Sequence, residues 1–321
     1  MPEVRHYNPP FWLRNGHVQT LWPALFRRID DVDPVRERLA TEDDDFLDLD
    51  WYRGGNDRLL VISHGLEGSS RRPYVMGLAR AALRAGWDAL AWNFRSCSGE
   101  MNLQPRFYHS GATVDLDAVA RRALADAAAY RTLALAGFSM GGNLTLVYMG
   151  QQGNRLDSRI AGGVTFSVPC DLAASAACLA RPWNRLYMSK FMRELRRKMR
   201  AKHRRFPEII SLVGLNEIRT FREFDDRYTA PLHGFENAED YWSRCSSGRF
   251  LSNIKAPVLI LNALDDPFLA DGCYPYDQVR RLPHITLETP RRGGHVGFVS
   301  TRRDGLYWSE QRALQFLAER I

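Results

Sequence analysis

The residues Gly137-Phe138-Ser139-Met140-Gly141 form a G-x-S-x-G pattern, and Gly142 follows directly. The preceding run, Thr132-Leu133-Ala134-Leu135-Ala136, is apolar and reads as a buried strand. The following run, Asn143-Leu144-Thr145-Leu146-Val147-Tyr148-Met149, reads as a helix. A serine on so sharp a strand-to-helix turn has a strained backbone and an exposed hydroxyl, and its flanking glycines admit neighbours that a Cβ would exclude. The helix also turns its unpaired N–H groups towards the serine, which favours negative charge there. This is the layout of a nucleophile, with Ser139 as the attacking residue.

A serine hydroxyl needs a base, and the base an orienting acid. In elbow folds the chain order is Ser, then Asp or Glu, then His. Leu261-Asn262-Ala263-Leu264-Asp265-Asp266-Pro267 places two carboxylates after an apolar strand. Asp265 is the expected acid, because Asp266 precedes a proline and is pushed towards an extended conformation that aims elsewhere; Asp266 is the alternative. Loop capping is the ordinary role of such residues. The base is read as His295, in Arg291-Arg292-Gly293-Gly294-His295-Val296-Gly297-Phe298, a glycine-rich loop after the last strand. Two backbone N–H groups must bind the oxyanion. Met140, next to the nucleophile, is expected to give one, and Leu66, in His64-Gly65-Leu66-Glu67-Gly68, the other. The side chain of His64 is read as structural.

These residues need a scaffold. Short apolar runs alternate with helical patterns, which predicts βαβ units in an α/β fold: a mostly parallel sheet with helices on both faces. The expected strands are Leu59–Ser63, Asp88–Phe94, the run before Ser139, Ile160–Ser167, Val258–Asn262 and Ile285–Glu288. Helices are expected over Tyr74–Ala85 and Val114–Ala127, the latter with Leu116, Val119, Ala120 and Ala123 on one face. Residues 169–250 are rich in Arg, Trp and Tyr and break this rhythm. They read as a helical lid or cap inserted into a core formed by 1–168 and 251–321, above the strand ends where open α/β sheets bind ligands.

With these features the chain resembles the abhydrolase family of YheT-like bacterial hydrolases and eukaryotic ABHD lipases. The likeness is carried by Asn8-Pro-Pro-Phe-Trp-Leu-Arg-Asn-Gly-His-Val-Gln-Thr20, His64-Gly-Leu-Glu-Gly68, Tyr108-His-Ser-Gly111, the Ser139 elbow, Phe224-Asp-Asp-Arg-Tyr-Thr-Ala-Pro-Leu-His-Gly-Phe235 and Asn262-Ala-Leu-Asp-Asp-Pro-Phe268. It implies an α/β-hydrolase fold, carboxylic-ester activity, a small-molecule acyl ester as substrate and a triad on Ser139, Asp265 and His295. One departure is visible: after Asn93-Phe94-Arg95 the family usually has glycine, and this chain has Ser96.

Five scattered cysteines in 321 residues argue for reduced thiols and a cytoplasmic setting. The first ten residues lack the apolar core of a secretory signal, and no run of the length needed to span a membrane is present. No cofactor or metal is expected. The net charge of +7 is unevenly spread. Arg181 to Arg205 holds eleven Lys/Arg against one acid, Glu194, so the rest of the chain is slightly acidic. That points to one basic patch and not to a nucleic-acid partner. Within it, Phe191–Arg200 sets Met192, Leu195 and Met199 on one helical face, with Arg193, Arg196, Arg197, Lys198 and Arg200 around the rest. A solvated outer face of a lid helix is the plain reading, and peripheral contact of 190–205 with an anionic membrane the functional one. The aromatic N-terminal segment with Phe11, Trp12 and Trp22 is expected to pack over the body of the domain. Rival readings of the whole are a thioesterase or amidase with the same triad and a non-catalytic lipid-binding protein.

Overall fold

The computed structural model describes residues 6–125, 129–301 and 304–321. A single sheet runs through it in the order β1-β2-β4-β3-β5-β6-β7-β8. Its strands are β1 (Val35–Ala40), β2 (Phe46–Tyr52), β3 (Arg58–Ser63), β4 (Asp88–Trp92), β5 (Thr132–Phe138), β6 (Ile160–Phe166), β7 (Val258–Leu261) and β8 (Ile285–Glu288). Strands β3 to β8 run parallel, and β1 and β2 are antiparallel additions at one edge.

The apolar strands are continuous because both faces are covered. Leu59 and Val61 join the core on one face with Leu116, Val119 and Leu144. Their neighbours Leu60 and Ile62 join the other with Val75, Leu78, Leu314 and Leu317. The partners come from α2 (Pro73–Arg84), α3 (Thr113–Ala125), α4 (Met140–Gln152) and the last helix, Trp308–Arg320. The expected face of α3 is buried as a set; the last two residues of the helix foreseen over Val114–Ala127 lie outside the described residues.

Strands β1 and β2 were not foreseen, because their pattern mixes charge with apolar residues. In β2 the apolar Leu47, Leu49 and Trp51 alternate with Asp48 and Asp50. Both carboxylates are buried, and Arg38 and Arg36 of β1 neutralise them at 2.8 Å. Cross-strand ion pairing thus supplies what low strand propensity withholds.

Between β6 and β7 the chain forms helices and no strand. Among them are α5 (Leu172–Leu179), α6 (Arg185–Arg205) and the helix Ala238–Cys245. Met188, Met192, Leu195 and Met199 recur at helical spacing along α6, and all are buried in the core that continues under the sheet. The N-terminal helix α1 (Gly16–Phe26) is capped by Asn15, whose side chain accepts from the N–H groups of His17 and Val18. The N-terminal segment packs through Leu13, Gly16, Gln19 and Pro23. The aromatics expected to do so, Phe11, Trp12 and Trp22, remain exposed.

Candidate active site

Strand β5 ends at Phe138 and α4 begins at Met140, so Ser139 alone makes the turn, at φ 53° and ψ −120°. That conformation is strained for a residue with a side chain. It persists because the surroundings over-determine it. The Ser139 N–H donates to Phe166 O of β6 at 2.8 Å, and α4 lies so close to β3 that a Cβ on Gly141 would sit 2.3 Å from the His64 carbonyl oxygen.

His295 Nε2 lies 2.9 Å from Ser139 Oγ. On the other side of the ring, Nδ1 lies 3.0 and 2.9 Å from the two carboxylate oxygens of Asp266, whose side chain is fully buried. An ionised carboxylate only accepts, so Nδ1 carries the proton and Nε2 is left to accept from the serine hydroxyl. Phe268 N–H donates to Asp266 Oδ1 at 2.9 Å and fixes the carboxylate from behind.

The acid beside the histidine is therefore Asp266, where Asp265 was expected. The turn that follows β7 explains the exchange. Asp266 N–H donates back to Ala263 O, which folds the Asp266 side chain over the end of the sheet. Asp265 faces the opposite way: its Oδ1 accepts from Gly294 N–H at 2.9 Å, and its backbone oxygen faces Gly16. Its Oδ2 is buried without a hydrogen-bond partner among the described residues, and burial raises its pKa. Asp265 thus shapes the loop that carries His295 without touching the ring. The restriction that Pro267 imposes on Asp266 does not aim it away from the site.

The N-terminal segment supplies supports that sequence reasoning missed. Thr20 Oγ1 accepts from His295 N–H at 2.8 Å and donates to Gly16 O at 2.7 Å. Gln19 Oε1 accepts from Val299 N–H, and Ser167 Oγ accepts from Val296 N–H at 2.9 Å. Val296 and Phe298 have positive φ angles, so the loop needs such clamps. A Cβ on Gly16 would sit 2.0 Å from Asp265 O. The one available signal was the Asn15-Gly-His-Val-Gln-Thr20 motif, whose glycine and hydroxyl do this work.

The loop after β3 sits on the other side of the serine. Buried His64 donates from Nδ1 to Gly65 O at 2.7 Å and accepts from Phe94 N–H at Nε2. Burial pushes its pKa down to about 3, so it stays neutral and acts as the structural brace expected of it. Gly65 N–H donates to Tyr74 Oη at 3.0 Å, and a Cβ on Gly65 would lie 3.3 Å from Ser139 Cβ. Leu66 follows this close approach. Met140 opens α4, so its N–H has no acceptor within the helix. Ser96, where the resemblance implies glycine, takes a left-handed φ of 64° and bonds the Asn102 side chain, keeping a glycine-like turn.

Two clefts meet at the serine and share Leu66, Ser139, Phe191, Phe268 and His295. One, about 780 Å³, runs under α5 and α6 among Leu172, Leu179, Leu195, Phe221 and Trp242. The other, about 1020 Å³, opens between α1 and α6 past Leu21, Tyr187, Lys190 and Arg72. Asp225 lines the first cleft and is buried, accepting from Trp242 Nε1 and Thr229 Oγ1. Burial raises its pKa to about 7. Lys198, expected on the exposed basic face of α6, is instead buried, because its ammonium pairs with Glu67.

The profile of the alpha/beta hydrolase fold family matches residues 58–300. The chain belongs to that family. It is 36% identical over 310 residues to the YheT esterase of Escherichia coli, covering 94% of this chain and 90% of the relative. The phospholipase ABHD3 of Mus musculus is 31% identical over 303 residues, 91% of this chain and 73% of its own. Among solved structures, the Pyrococcus furiosus esterase Pf2001 superimposes with a TM-score of 0.61 at 17% identity, over 91% of this chain and 98% of that one, a likeness of fold.

The raised pKa of Asp225 has a consequence for stability. In the unfolded chain it ionises near pH 3.8, in the fold only near 7, so between these values the folded state binds more protons. Its contribution to stability therefore falls as pH rises from about 4 to 7 and is level above. In thermal unfolding, Asp225→Asn removes this loss: its Tm relative to the original protein is expected to rise from pH 4 to 7 and then plateau. A Tm difference independent of pH across that window would contradict the reading.

Proposed function

We propose that this protein is a serine hydrolase that cleaves carboxylic esters through an acyl-enzyme intermediate, with Ser139 as nucleophile, His295 as base and Asp266 as the orienting acid. The observation that carries the proposal is the unbroken hydrogen-bonded chain from Ser139 Oγ through His295 to Asp266, set on a strained elbow. In this reading Ser139 Oγ attacks the ester carbonyl while its proton passes to His295 Nε2. Asp266 holds the ring and stabilises the imidazolium. The N–H groups of Met140 and Leu66 bind the oxyanion, and His295 returns the proton to the departing alcohol. Water then repeats the sequence on the acyl-enzyme.

The two clefts divide the substrate. The apolar one under α5 and α6 takes the acyl chain, and the one between α1 and α6 takes the alcohol. Residues 169–250 act as the cap that roofs the acyl side. The names of the relatives, an esterase and a phospholipase, support an ester as substrate. Thioesters and amides pass through the same tetrahedral oxyanion; ester turnover against thioester and amide turnover separates them.

No helix among the described residues is long and apolar enough to cross a membrane. Surface contact is a separate matter. Arg193, Arg197, Arg200 and Arg204 are exposed on α6, while its apolar stripe is packed inward. Contact of 190–205 with an anionic membrane is therefore electrostatic and not insertion.

Ser139→Ala is expected to lose several powers of ten in kcat on p-nitrophenyl esters with its circular dichroism unchanged, and to lose fluorophosphonate labelling. Near-original turnover or labelling of the folded variant would end the proposal, and an original protein that never labels would favour a lipid-binding role. Asp266→Asn is expected to lower kcat by about 10⁴, as loss of the orienting acid does elsewhere, and Asp265→Asn far less; steady-state kinetics on both variants decide which carboxylate serves the histidine. Replacing Arg193, Arg197 and Arg204 with Gln is expected to weaken sedimentation with anionic vesicles, each cation being worth about 1 kcal/mol near such a surface, and added salt to mimic it. Turnover of a soluble neutral ester should not change. An original protein that ignores anionic vesicles at low salt returns these arginines to a solvated face.

A further inference from the structure

The residue after Leu66, Glu67, adopts a φ of 50°, which a residue with a side chain rarely holds without support. The support is a compact polar cluster. Glu67 N–H donates to Tyr108 Oη at 3.1 Å, and Tyr108 donates back to Glu67 Oε1 at 2.5 Å. Lys198 Nζ reaches the same Oε1 at 2.5 Å from α6, with Cys97 Sγ 3.6 Å away and the Tyr108 ring centroid at 4.5 Å. Arg72 donates to the Glu67 carbonyl oxygen at 3.1 Å.

The pair is buried, with side-chain exposures of 5% for Lys198 and 7% for Glu67. A buried ion pair is a weak source of net stability, since desolvation consumes most of its attraction, and an apolar pair would hold α6 down at least as well. Its use is directional. It ties one point of the helix that roofs the site to one residue of the loop expected to bind the oxyanion. The neighbours on α6 point the same way: Phe191 lines both clefts, Glu194 the outer one and Leu195 the inner one.

We propose that Lys198 is a positioning residue, which through Glu67 holds the Leu66 N–H against Ser139, so that the oxyanion site is complete only when α6 is docked. This rests on the ester-hydrolase reading above. Lys198 does not line either cleft, so it acts through the loop and not on the substrate. The pair then couples seating of α6 on bound substrate to readiness for the chemical step.

Lys198→Met keeps the length and packing of the side chain and removes the charge; Glu67→Gln breaks the pair from the loop side. Both are measured against a soluble p-nitrophenyl ester and against an alkyl boronic acid, whose tetrahedral adduct on Ser139 loads the oxyanion site. Each variant is expected to lose at least about tenfold in kcat, with KM within about threefold and boronate affinity falling in step with kcat; deleting an oxyanion donor outright costs about 10²–10³. The double variant is expected to lose no more than the worse single one, as for groups that act as a unit. Retention of kcat and boronate affinity by both folded variants overturns the proposal. So does a fall in Tm with boronate affinity unchanged, which would mark the pair as structural. If Lys198→Met does not fold, Lys198→Gln takes its place, because Glu67 itself lines the outer cleft and Glu67→Gln does not decide alone. An original protein that neither hydrolyses the ester nor binds the boronate overturns the parent reading, and this one with it; active original protein with unaffected variants overturns this one only.

Discussion

The structure is organised around one strained residue. Ser139 is held at φ 53° only because β5 hands directly to α4 while β6 fixes its N–H and the backbone of β3 presses on Gly141. A longer turn would relax the angle and drop the hydroxyl into the loop. A bulkier neighbour would push α4 off β3 and take the first N–H of the helix away from the hydroxyl. The strain, of order 1–3 kcal/mol, is a cost that the surrounding sheet offsets. Central strands buried on both faces are therefore a requirement of the site as well as of the core.

The histidine is held by a different logic. Its loop follows β8 and has positive φ angles at Val296 and Phe298, and it is anchored in the core through buried Phe298 and Val299. Fixation comes from far away in sequence: Thr20 and Gln19 from the N-terminal helix, Ser167 from the end of β6, and Asp265 from the end of β7. Every one of these contacts is a hydrogen bond to a backbone N–H of the loop. They set its path, and Asp266 sets only the ring. The position of His295 thus belongs to a set of hydrogen bonds that includes Asp265, and the orientation of its ring to the neighbouring Asp266.

That division marks how far the sequence could be read. The sheet, the elbow, His295 and the helical segment 169–250 were legible, because each announces itself by local periodicity or by a glycine pattern. The choice between Asp265 and Asp266 was not, since two adjacent residues in a turn face opposite ways and only their contacts in the fold, Asp266 on His295 and Asp265 on the Gly294 N–H, show which faces inward. The edge strands β1 and β2 were hidden for a similar reason: the arginines that make Asp48 and Asp50 acceptable in a buried strand sit ten and fourteen residues away. Ser96 ran the other way: a serine where the resemblance implies glycine, it leaves the backbone turn in place because it adopts a glycine-like φ.

The basic helix shows the limit of reasoning from charge along a chain. Helical periodicity placed Met192, Leu195 and Met199 together correctly, and all are buried. It could not separate Lys198 from Arg197, though one is buried and the other exposed. A lysine beside a buried methionine on the inward stripe is paired by whatever acid lies beneath it, since an unpaired buried ammonium is too costly to persist. Lys202, one turn further on, meets the same demand with oxygens alone, through the Asn102 side chain at 2.6 Å and the backbone carbonyl of Gln104. Two inward lysines, satisfied in two ways, tie α6 to the chain beneath it at separate points. A run of positive charge on one helix therefore divides by depth into an outer set that faces solvent and an inner set that holds the helix in place.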